Sequence, residues 1–112
     1  MIIYHNPRCQ KSRQTLQLLQ EAKVEFQIRK YLDDPPTADE LKEVIRKLDI
    51  SPQTLIRKNE RIYINQFKGR DLSDEEWIEV LVAHPVLIQR PIVIEGDRAV
   101  IGRPPENVRD LL

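Results

Sequence analysis

Ile2-Ile3-Tyr4-His5-Asn6-Pro7-Arg8-Cys9-Gln10-Lys11-Ser12-Arg13 runs from an apolar triplet through a proline turn into a polar segment of helical character. The natural reading is strand, tight turn, helix. Cys9 then stands at the first turn of the helix, where unpaired backbone N–H groups and the positive end of the helix dipole favour an anion. Arg8, Lys11 and Arg13 add cations around it. A thiol in such a setting ionises more readily than a free cysteine, whose pKa is about 8.5. The same N–H groups can hold an oxyanion beside the sulfur, so nucleophile and anion cradle come together. The plain alternative is a buried, inert cysteine, a common fate of free thiols.

Outward from this stretch, the spacing predicts a helix over residues 10–22, with Thr15, Leu16, Leu19 and Ala22 on one stripe. Val24, Phe26 and Ile28 alternate with Glu25, Gln27 and Arg29, the period of a strand. The start of the chain is thus a βαβ unit with parallel strands. Pro35-Pro36 breaks the chain. Thr37-x-x-Glu40 and Ser73-x-x-Glu76 are capping boxes, and Leu41, Val44, Ile45 and Leu48 make a helical face. Ser51-Pro52 opens a short helix carrying Leu55 and Ile56, and Pro85 closes the helix that holds Trp77, Val80 and Leu81. Residues 37–84 read as a helical block. Ile92-Val93-Ile94 and Ala99-Val100-Ile101 flank Gly96-Asp97, a hairpin signature. Pro104-Pro105-Glu106 starts a final short helix.

The order β-α-β, helical block, β-β-α is thioredoxin-like, with helices inserted between its halves. The expected fold is therefore α/β, a four-stranded mixed sheet in one domain spanning residues 1–112. No repeat, low-complexity tract or linker interrupts it.

Composition narrows the function. The chain has 112 residues, with 18 Lys plus Arg balanced by 18 Asp plus Glu. That neutrality gives no signal for nucleic acid or acidic membranes. No run approaches the ~20 apolar residues of a membrane helix, and the start does not resemble a signal peptide. One cysteine excludes an intramolecular disulfide and fits a reducing compartment, so a cytoplasmic location is expected. Any oxidised Cys9 then needs another molecule to reduce it. With one cysteine and two histidines, far apart in sequence, no metal site is expected.

Three arginines sit beside structural punctuation: Arg57 in Leu55-Ile56-Arg57-Lys58, Arg90 before Pro91, and Arg103 between Gly102 and Pro104. In a thioredoxin-like fold the turn before the third strand lies against the nucleophile loop, and its proline is usually cis. Arg90 is thereby expected near Cys9. Arginine grips tetrahedral oxyanions through paired donors, which lysine cannot match. Surface charges without a function are the ordinary fate of most basic residues.

The chain closely resembles the glutaredoxin-coupled arsenate reductase family. The resemblance covers essentially the whole length. It rests on Tyr4-His5-Asn6-Pro7-x-Cys9-x-x-Ser12-Arg13, Tyr31-Leu32-x-x-Pro35-Pro36, Leu55-Ile56-Arg57-Lys58, His84-Pro85, Arg90-Pro91-Ile92-Val93 and Gly102-Arg103-Pro104. It implies that Cys9 is the nucleophile and that Arg57, Arg90 and Arg103 bind the oxyanion. His5 and Ser12 match the family's histidine near the thiol and its supporting hydroxyl. It further implies arsenate as substrate, glutathione as co-substrate with no bound cofactor, and glutaredoxin as the partner that regenerates the thiol. Arg8 departs from the small residue common at its position. His5 is either an imidazolium that lowers the pKa of Cys9 or a residue hydrogen-bonded within the turn. Ser12 either contacts the sulfur or caps helix N–H groups. Two other readings stay open: a glutathione-dependent thiol oxidoreductase acting on another substrate, and a non-enzymatic regulator of the related RNA-polymerase-binding type. Ser12 stands where those regulators often carry a second cysteine.

Overall fold

The computed structural model describes all residues, Met1–Leu112. The chain forms two compact units. Met1–Asp34 joins with Arg90–Leu112, and Pro35–Gln89 makes the other.

The first unit is built on a four-stranded mixed sheet in the order β2-β1-β3-β4. Strand β1 is Ile2–Tyr4, helix α1 is Gln10–Glu21 and β2 is Gln27–Arg29. The hairpin strands are β3, Ile92–Glu95, and β4, Arg98–Ile101. β1 pairs in parallel with β2 (Ile3 opposite Ile28) and antiparallel with β3 (Ile3 opposite Val93). Glu95 faces Arg98 across the hairpin. Gly96 there has φ +57, which a type II′ turn takes at its first central position.

Ile3, Leu19, Val93, Val108 and Leu111 form the core beside the sheet. Burying an aliphatic side chain of this size contributes roughly 1.5–3 kcal/mol. On α1 the buried positions are Ser12, Thr15 and Leu19. The inward face thus begins a turn earlier than the apolar pattern implies, and it carries a serine. β2 is shorter than the alternation predicts. Val24 and Phe26 precede it and lean on the core, while Ile28 is 48% exposed. An edge strand has a partner on one side only, which leaves Ile28 with little to cover it. Residues Pro105–Leu111 form a 3-10 helix that buries Pro105, Val108 and Leu111.

In the second unit both capping boxes close as expected. Thr37 caps α2, Ala38–Leu48, with Glu40 reaching back, and Ser73 and Glu76 do the same for the later helix Asp74–Ala83. Between them lie a 3-10 helix over Pro52–Leu55 and a short helix α3, Arg61–Gln66. The later helix is α4. Leu41, Val44 and Ile45 of α2 and Trp77, Ile78 and Leu81 of α4 are buried. Ile56 forms an isolated β-bridge with Ile88. His84 ends α4, and its ring stands 5.6 Å from that of Phe67. No helix is long and apolar enough to cross a membrane.

Candidate active site

The loop between β1 and α1 is fixed by a closed set of hydrogen bonds. The Cys9 N–H donates to the Asn6 carbonyl at 3.0 Å, and the Arg8 N–H to Asn6 Oδ1 at 3.0 Å. Arg13 Nη1 reaches back to the Pro7 carbonyl at 2.9 Å. The Asn6 N–H donates to Ser12 Oγ at 3.0 Å, and His5 Nδ1 lies 2.6 Å from the same oxygen. The His5 N–H donates to the Arg29 carbonyl at 2.8 Å, tying the loop to the sheet edge. An asparagine side chain closing its own turn explains why the chain can bend here without glycine.

Cys9 occupies the N-cap of α1 in extended conformation, φ −99 and ψ 124. Cys9 is buried, with 8% of the residue exposed. The pKa of the thiol lies below the ordinary cysteine value. Burial is the largest influence and opposes ionisation. The backbone N–H of Ser12, the Arg90 guanidinium, the backbone N–H of Lys11 and the Arg103 guanidinium together outweigh it. The N–H groups at the helix start and the Arg90 and Arg103 guanidinium groups favour the thiolate, whereas the Arg8, Lys11 and Arg13 charges expected around it are not among these influences.

Arg103 Nη1 stands 3.9 Å from Cys9 Sγ and donates to the Arg90 carbonyl at 3.2 Å. That contact links residues from opposite ends of the chain. Arg90 leads into β3, and the bond between Arg90 and Pro91 is cis, as the fold reading anticipates. The bond between Arg103 and Pro104 is also cis. The buried Nε of Arg90 makes no hydrogen bond. Arg57 lies in the second unit. There it pairs with Glu60 at 2.9 Å and donates to the Val86 carbonyl at 3.3 Å.

His5 is 5% exposed. Its pKa is lowered, first by burial and then by the charges of Lys30 and Arg13. The imidazole is therefore neutral at neutral pH, and it is not among the groups that lower the pKa of Cys9. Of the two readings, the geometry matches the hydrogen-bonded one. Ser12 divides its two polar groups between the thiol and the loop. Its hydroxyl is engaged by His5 and Asn6, while its backbone N–H serves the sulfur.

Three further residues support the site. Asn107 Nδ2 donates to the carbonyls of Ile101 and Arg103, at 3.1 and 3.2 Å, and so holds the backbone that carries Arg103. Gly102 is buried, and a Cβ there would fall 2.5 Å from Thr15 Oγ1. Thr15 is itself fully buried on α1. The glycine was readable as punctuation, whereas its contact with Thr15 depends on packing between distant segments.

Fold and site together define a thioredoxin-like protein with one activated thiol at a helix start and arginines beside it. Residues 4–111 match the ArsC family. The chain is 41% identical over 114 positions to the arsenate reductase of Haemophilus influenzae, covering 100% of this chain and 98% of that one. It is 42% identical over 112 positions to the uncharacterized Escherichia coli protein YfgD, covering 98% and 94% of the two. The solved arsenate reductase from Vibrio cholerae superposes with a TM-score of 0.95 at 40% identity, covering 99% of this chain and 96% of that one. The chain belongs to the ArsC family.

Proposed function

We propose that the protein reduces arsenate to arsenite in the cytoplasm, with Cys9 as nucleophile and glutathione as the second thiol. The observation that carries this reading is the Arg103 guanidinium 3.9 Å from the Cys9 sulfur. A cation beside a thiolate at a helix start suits a reaction in which an oxyanion meets a sulfur nucleophile. The relatives named arsenate reductase, at about two-fifths identity over essentially the whole chain, support the same substrate.

In the first step the Cys9 thiolate attacks arsenic, a sulfur–arsenic bond forms, and an arsenate oxygen leaves as water after protonation. Arg90 and Arg103 and the N–H groups at the start of α1 balance the negative oxygens. Arg90 has a donor at Nε with no protein partner, a capacity that an anion can use. In the second step the glutathione thiol attacks the Cys9 sulfur. The sulfur–sulfur bond forms, the sulfur–arsenic bond breaks, and its electron pair stays on arsenic, which departs as arsenite. The thiol proton passes to the arsenite oxygens. Glutaredoxin or a further glutathione then reduces the mixed disulfide on Cys9. With one cysteine in the chain, this external reductant is a stoichiometric necessity. His5 and Ser12 hold the loop in register. The role expected of Arg57 rests on the resemblance alone and is tested by the kinetics of Arg57→Ala.

Steady-state arsenate turnover with glutathione and glutaredoxin tests the proposal. Turnover by the wild-type chain and none by Cys9→Ser is the expected result. Glutathionylation of Cys9 without arsenate turnover would move the reading to a thiol oxidoreductase with another substrate.

A further inference from the structure

Arg103 reaches the thiol by a thin connection. One nitrogen, Nη1, makes both of its side-chain contacts, 3.2 Å to the Arg90 carbonyl and 3.9 Å to Cys9 Sγ. The residue is otherwise exposed. A long arginine side chain gives up much rotamer freedom when it is held in one pose. Its stay at the sulfur therefore depends on where its backbone is fixed.

That backbone is gripped by one amide. The Arg103 N–H donates to the Ile101 carbonyl at 2.9 Å and closes a three-residue turn centred on Gly102. Asn107 Nδ2 donates to the carbonyls at both ends of this turn, 3.1 Å to Ile101 and 3.2 Å to Arg103. Both hydrogens of the amide are thereby used. Asn107 has a firm base of its own. Its backbone N–H donates to the Pro104 carbonyl at 3.1 Å, and its neighbour Val108 is fully buried. An asparagine at a helix start commonly accepts bonds from the helix's own N–H groups. Here the amide donates instead, to residues that precede the 3-10 helix Pro105–Leu111.

We propose that Asn107 is a positioning residue for the reaction at Cys9, its amide pinning the Arg103 backbone so that the guanidinium stays at the sulfur. Asn107 touches neither thiol nor substrate in this role; it acts through Arg103. The guanidinium is one of the groups that favour the thiolate, so loosening the turn weakens that support. The part of the inference that concerns turnover rests on the proposed arsenate chemistry, whereas the part that concerns the thiol does not.

The test uses Asn107→Leu in the full chain, a substitution of similar shape that removes both donors and adds no charge. The pH midpoint of Cys9 alkylation should rise by roughly half a unit, the scale of a unit charge lost about 4 Å away in watery surroundings. In an Arg103→Ala background the same substitution should move the midpoint by less than about 0.2 unit, because the group it acts through is gone. Arsenate kcat/KM should fall about three- to tenfold in Asn107→Leu, the scale of one neutral hydrogen bond. An unchanged midpoint with lowered stability in urea would make Asn107 a purely structural residue and overturn the proposal. So would equal midpoint shifts in the two backgrounds. A second measurement needs no change at Asn107. Its side-chain amide resonances, followed against pH, should step at the midpoint of the thiol in the wild type and lose that step in Arg103→Ala. No step in the wild type, or a step that persists without Arg103, also overturns it. If the wild-type chain turns over no arsenate, the proposed reaction falls, and the alkylation and resonance results still decide the role of Asn107.

Discussion

His5 Nδ1 lies 2.6 Å from Ser12 Oγ, joining the end of β1 to the buried face of α1. The ring is almost wholly enclosed, and burial, Lys30 and Arg13 all disfavour its protonation. This has a consequence for stability. Above the ordinary histidine value of 6.5 the ring is neutral in both folded and unfolded chains. As pH falls below that value, the unfolded chain takes up a proton first, so folding weakens until the folded histidine is protonated as well. Urea unfolding between about pH 6.5 and pH 5 should therefore show a loss of stability in the wild type that is reduced in His5→Gln. Parallel slopes in the two proteins would contradict the buried, neutral imidazole.

The thiol titration should respond to the arginines in a set order. Each guanidinium favours the thiolate, and Arg90 does so more than Arg103. The rate of iodoacetamide alkylation against pH should give a midpoint below the ordinary cysteine value in the wild type. Arg103→Ala should raise that midpoint and Arg90→Ala should raise it further. A wild-type midpoint at or above that of a free cysteine would remove the activation altogether.

Charge alone should not replace Arg90. A lysine there keeps one positive charge and loses the planar pair of donors that fits two oxygens of an oxyanion. Arg90→Lys is expected to lose about 1.5–3 kcal/mol of transition-state stabilisation for arsenate, measured as the fall in kcat/KM. The alkylation midpoint should move less in Arg90→Lys than in Arg90→Ala, because the cation is retained. Wild-type kcat/KM in Arg90→Lys would show that a point charge suffices.

What the sequence disclosed follows the range of the interactions. The capping boxes at Thr37 and Ser73 are local patterns, and both close. Gly96-Asp97 is equally local, and the hairpin turns there. Helix α3, Arg61–Gln66, carries no comparable cap: Glu60 makes no side-chain capping bond, and Ile62 and Ile64 are poor helix signals. The alternation at Val24, Phe26 and Ile28 suggested more strand than forms, because periodicity does not reveal that β2 lies at the sheet edge. In the site, Cys9 and its helix start were legible from adjacent residues. The role of the Ser12 hydroxyl stayed open between the sulfur and backbone N–H groups, since nothing in the spacing shows that His5 would engage it. The link from Arg103 to Cys9 was reachable only through the fold order and the resemblance. Asn107, which bonds the carbonyls on either side of Gly102, lies beyond both.

Gly102 sets how closely the strand that delivers Arg103 can approach α1. Its N–H donates to the Pro91 carbonyl at 2.9 Å. A Cβ on it would meet Thr15 Oγ1 at 2.5 Å and Pro91 Cγ at 2.8 Å, distances that require the neighbours to move. Thr15 is fully buried and Pro91 is part of the buried turn, so neither has open space to move into. Gly102→Ala should therefore cost about 1–3 kcal/mol in folding stability, the usual penalty for overfilling a packed interior. Because Arg103 is the next residue, the same displacement should carry its guanidinium away from the sulfur and raise the alkylation midpoint of Cys9. Adding Thr15→Ala removes the closest obstruction and leaves the contact with Pro91. The double variant should recover part of the stability lost in Gly102→Ala, and its alkylation midpoint should return toward that of Thr15→Ala alone. If the losses in the two single variants simply add, by chemical denaturation and by alkylation alike, Thr15 and Gly102 are not coupled and the placement of Arg103 has another origin.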